Sequence, residues 1–136
     1  MDWFGPTDFL IMDQCGSSFS YDDQKSPESS LIGGKIQDNP DRCVLANPIT
    51  YIKNVCKENF PTFLIIHGDK DPLVPDRERE KLYAALQSRG IGSELIMVPG
   101  GAHGPGVMIN TYFARMIGFF KNELKASIKS KTKNLK

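Results

Sequence analysis

Two segments carry residue types at spacings suited to catalysis: His67-Gly68-Asp69-Lys70-Asp71-Pro72-Leu73-Val74-Pro75 and Gly100-Gly101-Ala102-His103-Gly104. Each follows a short apolar run, Phe63 to Ile66 in the first case and Leu95 to Val98 in the second. A neutral imidazole accepts protons well near neutral pH, because its pKa lies close to that pH. A carboxylate bonded to the far ring nitrogen fixes the tautomer and stabilises the imidazolium as it forms. Asp71 and His103 suit these two roles, in the chain order acid then histidine that parallel-sheet scaffolds use. They are two thirds of a serine–histidine–aspartate constellation. No Gly-x-Ser-x-Gly occurs among the 136 residues to supply the third member.

The surrounding pattern names the elements that must position this pair. Thr62 to Ile66 is apolar after its first residue, as expected of a strand covered on both faces. Asp76 to Arg89 reads as a helix, with Asp76, Glu78 and Glu80 in the first turns, Leu82 and Leu86 as the buried stripe, and Gly90 at its end. Glu94 to Val98 is the next strand. A second helix runs from about Val107 to Lys125, with Phe113, Met116, Ile117, Phe120 and Leu124 at helical spacing. This βαβα order is the grammar of an α/β fold with a parallel sheet. Ligands on such sheets bind beyond the carboxyl ends of the strands, where both loops lie.

Upstream, Met1 to Phe4 reads as a strand end, followed by a Gly5-Pro6 turn and a short helix capped by Thr7 or Asp8. Residues 13–60 form an irregular, lid-like excursion rich in Asp, Ser, Gly and Pro. Within it, residues 26–34 hold one helical turn closed by glycine, and residues 47–52 hold another short helical segment. The expected organisation is therefore residues 1–12 as strand end and turn, 13–60 as lid, 61–125 as βαβα core, and 126–136 as a Lys-rich tail. Lys125, Lys129, Lys131, Lys133 and Lys136 read as a solvated, frayed end sooner than as a contact for an anionic partner.

Taken together, Asp2-Trp3-Phe4-Gly5-Pro6-Thr7-Asp8, Glu28-Ser29, Leu31-Ile32-Gly33-Gly34, Ala46-Asn47-Pro48-Ile49-Thr50-Tyr51, the Asp71 segment and His103-Gly104 resemble the α/β-hydrolase superfamily. The chain is most similar to bacterial carboxylesterases of the acetyl-xylan and feruloyl esterase type. The resemblance implies the C-terminal portion of an α/β-hydrolase parallel sheet, its last strands and covering helices, plus the lid-like segment. It implies Asp71 as triad acid, His103 as triad base, and residues 9–45 as part of the wall over the substrate. No cofactor is implied. The family's nucleophile elbow, oxyanion loop and earlier strands precede the segment resembling Trp3, so the chain reads as a fragment inactive alone. Gly16-Ser17-Ser18 and Gly92-Ser93 are not elbows: one lies in lid sequence, the other opens a strand.

Other residues carry plainer readings. Asp69 is a turn residue two positions from the candidate acid, and His67 ends a strand as a structural histidine. His67, Asp69, Asp71 and His103 do not make a convincing metal set, since no third histidine or Glu-x-x-His accompanies them. Gly33-Gly34 is a turn, not a phosphate cradle. Trp3 and Phe4, and Tyr51 with them, are candidates to line an acyl or aryl pocket, with ordinary packing as the alternative. Cys15, Cys43 and Cys56 lie in no metal-ligand spacing and leave the redox compartment open.

Hydrophobic content of 40% and charged content of 24% are those of a globular domain, and a net charge of +1 argues against nucleic acid as a partner. No signal peptide and no run long enough to span a bilayer is read. The leading expectation is a serine ester hydrolase acting on a small-molecule or carbohydrate-linked ester, with the N-terminal half of the hydrolase as partner. The alternatives are a non-catalytic remnant or binding module, and part of a serine peptidase of the prolyl oligopeptidase type.

Overall fold

In the computed structural model, residues 1–15, 19–55, 58 and 60–133 are described, with side chains as far as residue 128. Three strands form one parallel sheet in the order β1 (Asp2–Trp3), β2 (Phe63–Gly68), β3 (Ser93–Val98). Asp2 pairs with Ile65, Ile65 with Leu95, and Gly68 with Val98. β2 is central and buried from Leu64 onward, which is why its sequence is continuously apolar instead of alternating. Its side chains still alternate between faces. Leu64 and Ile66 join Phe4, Val98 and Val107 on the face where Tyr112 and Phe119 pack. Ile65 turns the other way, against Ile52, Leu82, Leu86 and Ile91.

The helices supplying those faces are α4 (Arg77–Ser88) and α5 (Asn110–Lys133). α4 ends as expected, with Gly90 left-handed at φ 66° and Ile91 N–H returning to the Leu86 carbonyl at 3.0 Å. Its first turn differs from expectation. Glu78 does not decorate the helix start: it is fully buried, and its Oε2 accepts the backbone N–H groups of Thr7 at 2.8 Å and Asp8 at 2.7 Å. Thr7 Oγ1 lies 2.9 Å from both that oxygen and the Glu78 carbonyl oxygen, so Thr7 serves α4 and not a helix of its own. Next to it, buried Arg79 donates from Nη1 to Asp2 Oδ2 at 2.8 Å. A charge leaves water at this depth only where partners replace its hydration. These two side chains bolt β1 and the turn after it onto α4.

α5 also departs from the sequence expectation. Gly104-Pro105-Gly106 hold the chain in turns, with Met108 N–H bonded to the Gly104 carbonyl, so the helix begins at Asn110 and not Val107. It then continues through Lys133, so residue 126 is no boundary. Ile117, Phe120 and Leu124 are exposed, Tyr112 and Phe119 pack on the sheet, and Phe113, partly exposed, packs its ring 5.2 Å from Trp3. The side chains of Lys129, Lys131 and Lys133, and all of Lys136, lie outside the described residues. Among the described residues no helix is long and apolar enough to cross a membrane.

The segment expected to be irregular is more ordered than its composition suggests. A 3-10 helix (Phe9–Cys15) precedes α1 (Pro27–Ile32), α2 (Pro40–Ala46) and α3 (Pro48–Ile52). All three helices start on proline, which suits a first position whose N–H has no helical partner. Ser26 Oγ caps α1 by accepting the Ser29 N–H at 2.9 Å, and Gly33 closes it at φ 80°. α2 was not expected; Asn39-Pro40 announces it as Asn47-Pro48 announces α3. Phe9, Met12, Tyr21, Ile32, Ile36 and Cys43 form a separate small core for this segment. Gly16-Ser17-Ser18 and Cys56 lie outside the described residues.

Replacing Glu78 by Ala strands the buried N–H of Thr7 and the partly buried N–H of Asp8, while the Thr7 hydroxyl keeps the backbone carbonyl of residue 78. A loss of about 3 kcal/mol of unfolding free energy is expected in urea titration. A loss below about 1 kcal/mol would rule out the anchoring role.

Candidate active site

The carboxyl ends of β2 and β3 lead into two loops whose backbones are stitched together. Beyond the Gly68–Val98 pair, Asp69 N–H bonds the Val98 carbonyl at 3.1 Å, and Lys70 N–H bonds the Gly101 carbonyl at 2.9 Å. Asp69 Oδ1 accepts the Gly100 N–H at 2.7 Å, so this acid is loop-stabilising, as expected. At the crossing point a Cβ on Gly68 would lie 2.1 Å from the Gly101 carbonyl oxygen. Only glycine lets the loops approach this closely. Gly100 is required for another reason: space around it is open, but its φ is 70°.

This crossing brings Asp71 and His103 together. His103 Nδ1 lies 2.9 Å from Asp71 Oδ2. The carboxylate can only accept, so Nδ1 carries the hydrogen and Nε2 is left with its lone pair. The Asp71 side chain is fully buried, whereas that of His103 is 35% exposed. Asp71 Oδ1 accepts the N–H groups of Leu73 at 2.8 Å and Val74 at 3.0 Å, which replace lost water and set the carboxylate plane. His67 also approaches, with Nε2 3.4 Å from Asp71 Oδ2 and 2.9 Å from the Val74 carbonyl oxygen. Burial, and then the Arg79 guanidinium, hold this imidazole below its ordinary pKa near 6.5, so it is neutral.

Phe4 completes the centre. It sits just past β1 with a left-handed φ of 60°, a conformation that costs a non-glycine residue of order 1–3 kcal/mol. In return its ring packs at a tilt against both imidazoles, with centroids 4.8 Å from His103 and 5.7 Å from His67. A cavity of about 690 Å³ opens here, lined by Phe4, Phe19, Tyr21, Leu73, Val74 and His103 among others. Tyr21 is anchored through its hydroxyl, which donates to the Leu73 carbonyl at 2.8 Å. Phe19 and Tyr21, from the segment expected to be a lid, line the cavity beside His103.

Not every candidate joins this centre. Trp3 lines a different groove, with Met1, Met108, Phe113, Met116 and Phe120, its ring 5.2 Å from that of Phe113, whereas Phe4, past the strand end with a left-handed backbone, reaches the rim. Tyr51 is exposed and donates to the Leu45 carbonyl. Sequence reasoning missed Tyr21, which no periodicity marks within its Ser- and Asp-rich run. It also missed the proximity of His67 to Asp71, although their separation of four residues after a strand end was visible.

A family model, BD-FAE, matches residues 1–86, more than half of the chain. The chain belongs to the BD-FAE family. Esterase LipQ of Mycobacterium tuberculosis is 29% identical to this BD-FAE chain over 90 residues, 66% of the chain and 20% of LipQ. A truncated carbohydrate esterase from gut microbiota superposes with a TM-score of 0.78 and 38% identity, covering 90% of this chain and 41% of that one. A bifunctional GH43-CE protein of Bacteroides eggerthii superposes with a TM-score of 0.75 and 41% identity, covering 90% of this chain and 16% of that one. The BD-FAE chain thus has an α/β-hydrolase fold of the esterase type and spans less than half the length of each of these proteins.

Gly68→Ala is expected to cost about 2–3 kcal/mol by overpacking the crossing and to break the Asp71–His103 bond. A denaturant midpoint and an Asp71–His103 distance that both stay unchanged would contradict this account of the crossing. Protonation of His67 gives a second expectation. The unfolded chain binds a proton at His67 below about pH 6.5 that the native core refuses, so stability rises with pH there. It is complete above that pH and declines as pH falls toward the folded-state pKa. His67→Gln should flatten this slope between about pH 7.5 and 5.5 in paired urea titrations.

Proposed function

We propose that this chain supplies the acid and the base of a serine ester hydrolase acting on a small-molecule or carbohydrate-linked ester. The observation that carries the reading is the 2.9 Å contact between His103 Nδ1 and the buried carboxylate of Asp71, with His103 on the cavity wall. His103 Nε2 accepts the proton of a serine hydroxyl as the serine oxygen attacks the ester carbonyl carbon. The imidazolium then passes that proton to the alcohol as its C–O bond breaks. Water repeats the sequence on the acyl serine and releases the acid. Asp71 orients the imidazole and balances its charge in both halves. Phe4 and the apolar walls shield this proton traffic from bulk water.

The nucleophile is assigned to a segment outside these 136 residues, since none of them forms a Gly-x-Ser-x-Gly elbow. Similarity to the carbohydrate esterase from gut microbiota supports an ester on a sugar as the substrate class.

The chain alone is expected to show neither serine labelling by a fluorophosphonate probe nor turnover of an aryl acetate. Complementation with a nucleophile-bearing N-terminal half from a carbohydrate esterase is expected to restore turnover. His103→Ala should then lower it by about 10³-fold, with Asp71→Asn also strongly impaired. Turnover that survives His103→Ala would exclude the role given to this histidine, and labelling within the 136 residues would relocate the nucleophile.

A further inference from the structure

His67 is a buried titratable group that an acid–histidine pair does not by itself require. It stands on β2 one residue before the Gly68 crossing, its side chain is fully buried, and it faces the α4 side of the sheet. Three charged groups surround it: Asp71 from its own loop, Arg79 from α4 and Asp2 from β1. Its Nε2 meets two atoms, the Val74 carbonyl oxygen at 2.9 Å and Asp71 Oδ2 at 3.4 Å. Neither can donate, so Nε2 must carry the hydrogen. Nδ1 has no hydrogen-bond partner, which leaves the bonding of this residue entirely on the Asp71 side.

We propose that His67 is a positioning residue for the candidate acid: its Nε2–H, shared between the Val74 carbonyl and Asp71 Oδ2, holds the carboxylate so that Oδ2 faces His103 Nδ1. This rests on reading Asp71 and His103 as acid and base. The contacts close a ring. Val74 donates its N–H to Asp71 Oδ1 and offers its carbonyl to His67, while His67 reaches the other carboxylate oxygen. Oδ1 is tied by two backbone N–H groups, and the His67 N–H stands 3.4 Å from Oδ2, which favours the rotamer that turns Oδ2 toward His103.

Charge explains why a neutral imidazole fits this position. An imidazolium beside Asp71 would compete with His103 for the same negative charge and weaken its pull on the catalytic ring. A neutral N–H orients the carboxylate without cancelling it. Burial and Arg79 enforce that neutral state. Phe4 packs against both imidazoles, so one aromatic ring spans the buried His67 and the partly exposed His103. On the open side, His103 shares the cavity wall with Asp23, Lys25 and Glu28, whereas His67 is screened from them.

The chain contains two histidines, so ¹⁵N-histidine labelling yields two imidazoles to assign. Long-range ¹H–¹⁵N correlation of the full chain near neutral pH is expected to show His67 as the Nε2–H tautomer and His103 as the Nδ1–H tautomer. In His67→Phe, which keeps the ring volume, His103 should lose its single tautomer. Solvent exchange of its Nδ1–H should speed up about tenfold, the net worth of one hydrogen bond. His67→Gln, whose amide N–H can occupy the place of Nε2–H, should keep the wild-type pattern. A His67 ring in the wild-type chain that is the Nδ1–H tautomer or doubly protonated overturns the proposal, as does a His67→Phe chain with unchanged His103 signals. If His67→Phe does not fold, His67→Gln decides, and loss of the His103 tautomer there overturns it. None of these measurements needs turnover, so the positioning role and the hydrolase reading can fail separately.

Discussion

Asp71 meets His103 across a point where the backbones of two loops touch, at Gly68 and Gly101. The parallel pairing of β2 and β3 does not stop at the strand ends, because Asp69 and Lys70 continue it onto Val98 and Gly101. Everything chemical in the chain hangs from that extension. Asp71 and His103 are 32 positions apart in sequence, yet the Lys70–Gly101 backbone hydrogen bond, one residue from the first and two from the second, sets their separation. A site placed this way tolerates little error, since a single added methyl at Gly68 has no space to occupy.

Buried charge fixes the rest of the rim. Glu78 and Arg79 hold β1 and Thr7–Asp8 against the first turn of α4 through hydrogen bonds at Glu78 Oε2 and Arg79 Nη1 that replace part of their hydration, while Glu78 Oε1 and Arg79 Nε and Nη2 are buried without a hydrogen-bond partner. That attachment sets where the chain leaves β1, and so where Phe4 can place its ring against the two histidines. The left-handed backbone of Phe4 is held by the same packing, since its ring is buried among Leu64, Ile66, Val98 and Val107. Strain at Phe4 and desolvation at Glu78 are thus two parts of one arrangement that brings an aromatic wall to the site.

The opposite side of the molecule is less finished. β1 is an edge strand two residues long, and Ile117, Phe120, Leu124 and Ile128 of α5 are exposed. Contiguous apolar surface of this kind is uncommon on a free-standing monomer. None of these four side chains lines the cavity at His103.

Local pattern was enough to reveal β2, α4, β3 and the presence of α5, because burial on both sheet faces and helical spacing leave a direct mark on residue type. It also revealed Asp71 and His103, whose loops must follow strands to reach a common rim. Prolines opening α1, α2 and α3 were equally visible, although Asn39-Pro40 was passed over and α2 with it. Position alone did not separate Trp3 from Phe4, nor show that Glu78 turns inward and His67 reaches Asp71. Those outcomes depend on distances between residues far apart in the chain, such as Thr7 and Glu78, and on which face each strand residue takes. The sequence by itself determined the parallel scaffold and singled out Asp71 and His103 as the candidate pair it carries. Only the tertiary structure decided what surrounds the pair, because the partners of a buried carboxylate are chosen by three-dimensional packing and by the need to replace its lost water.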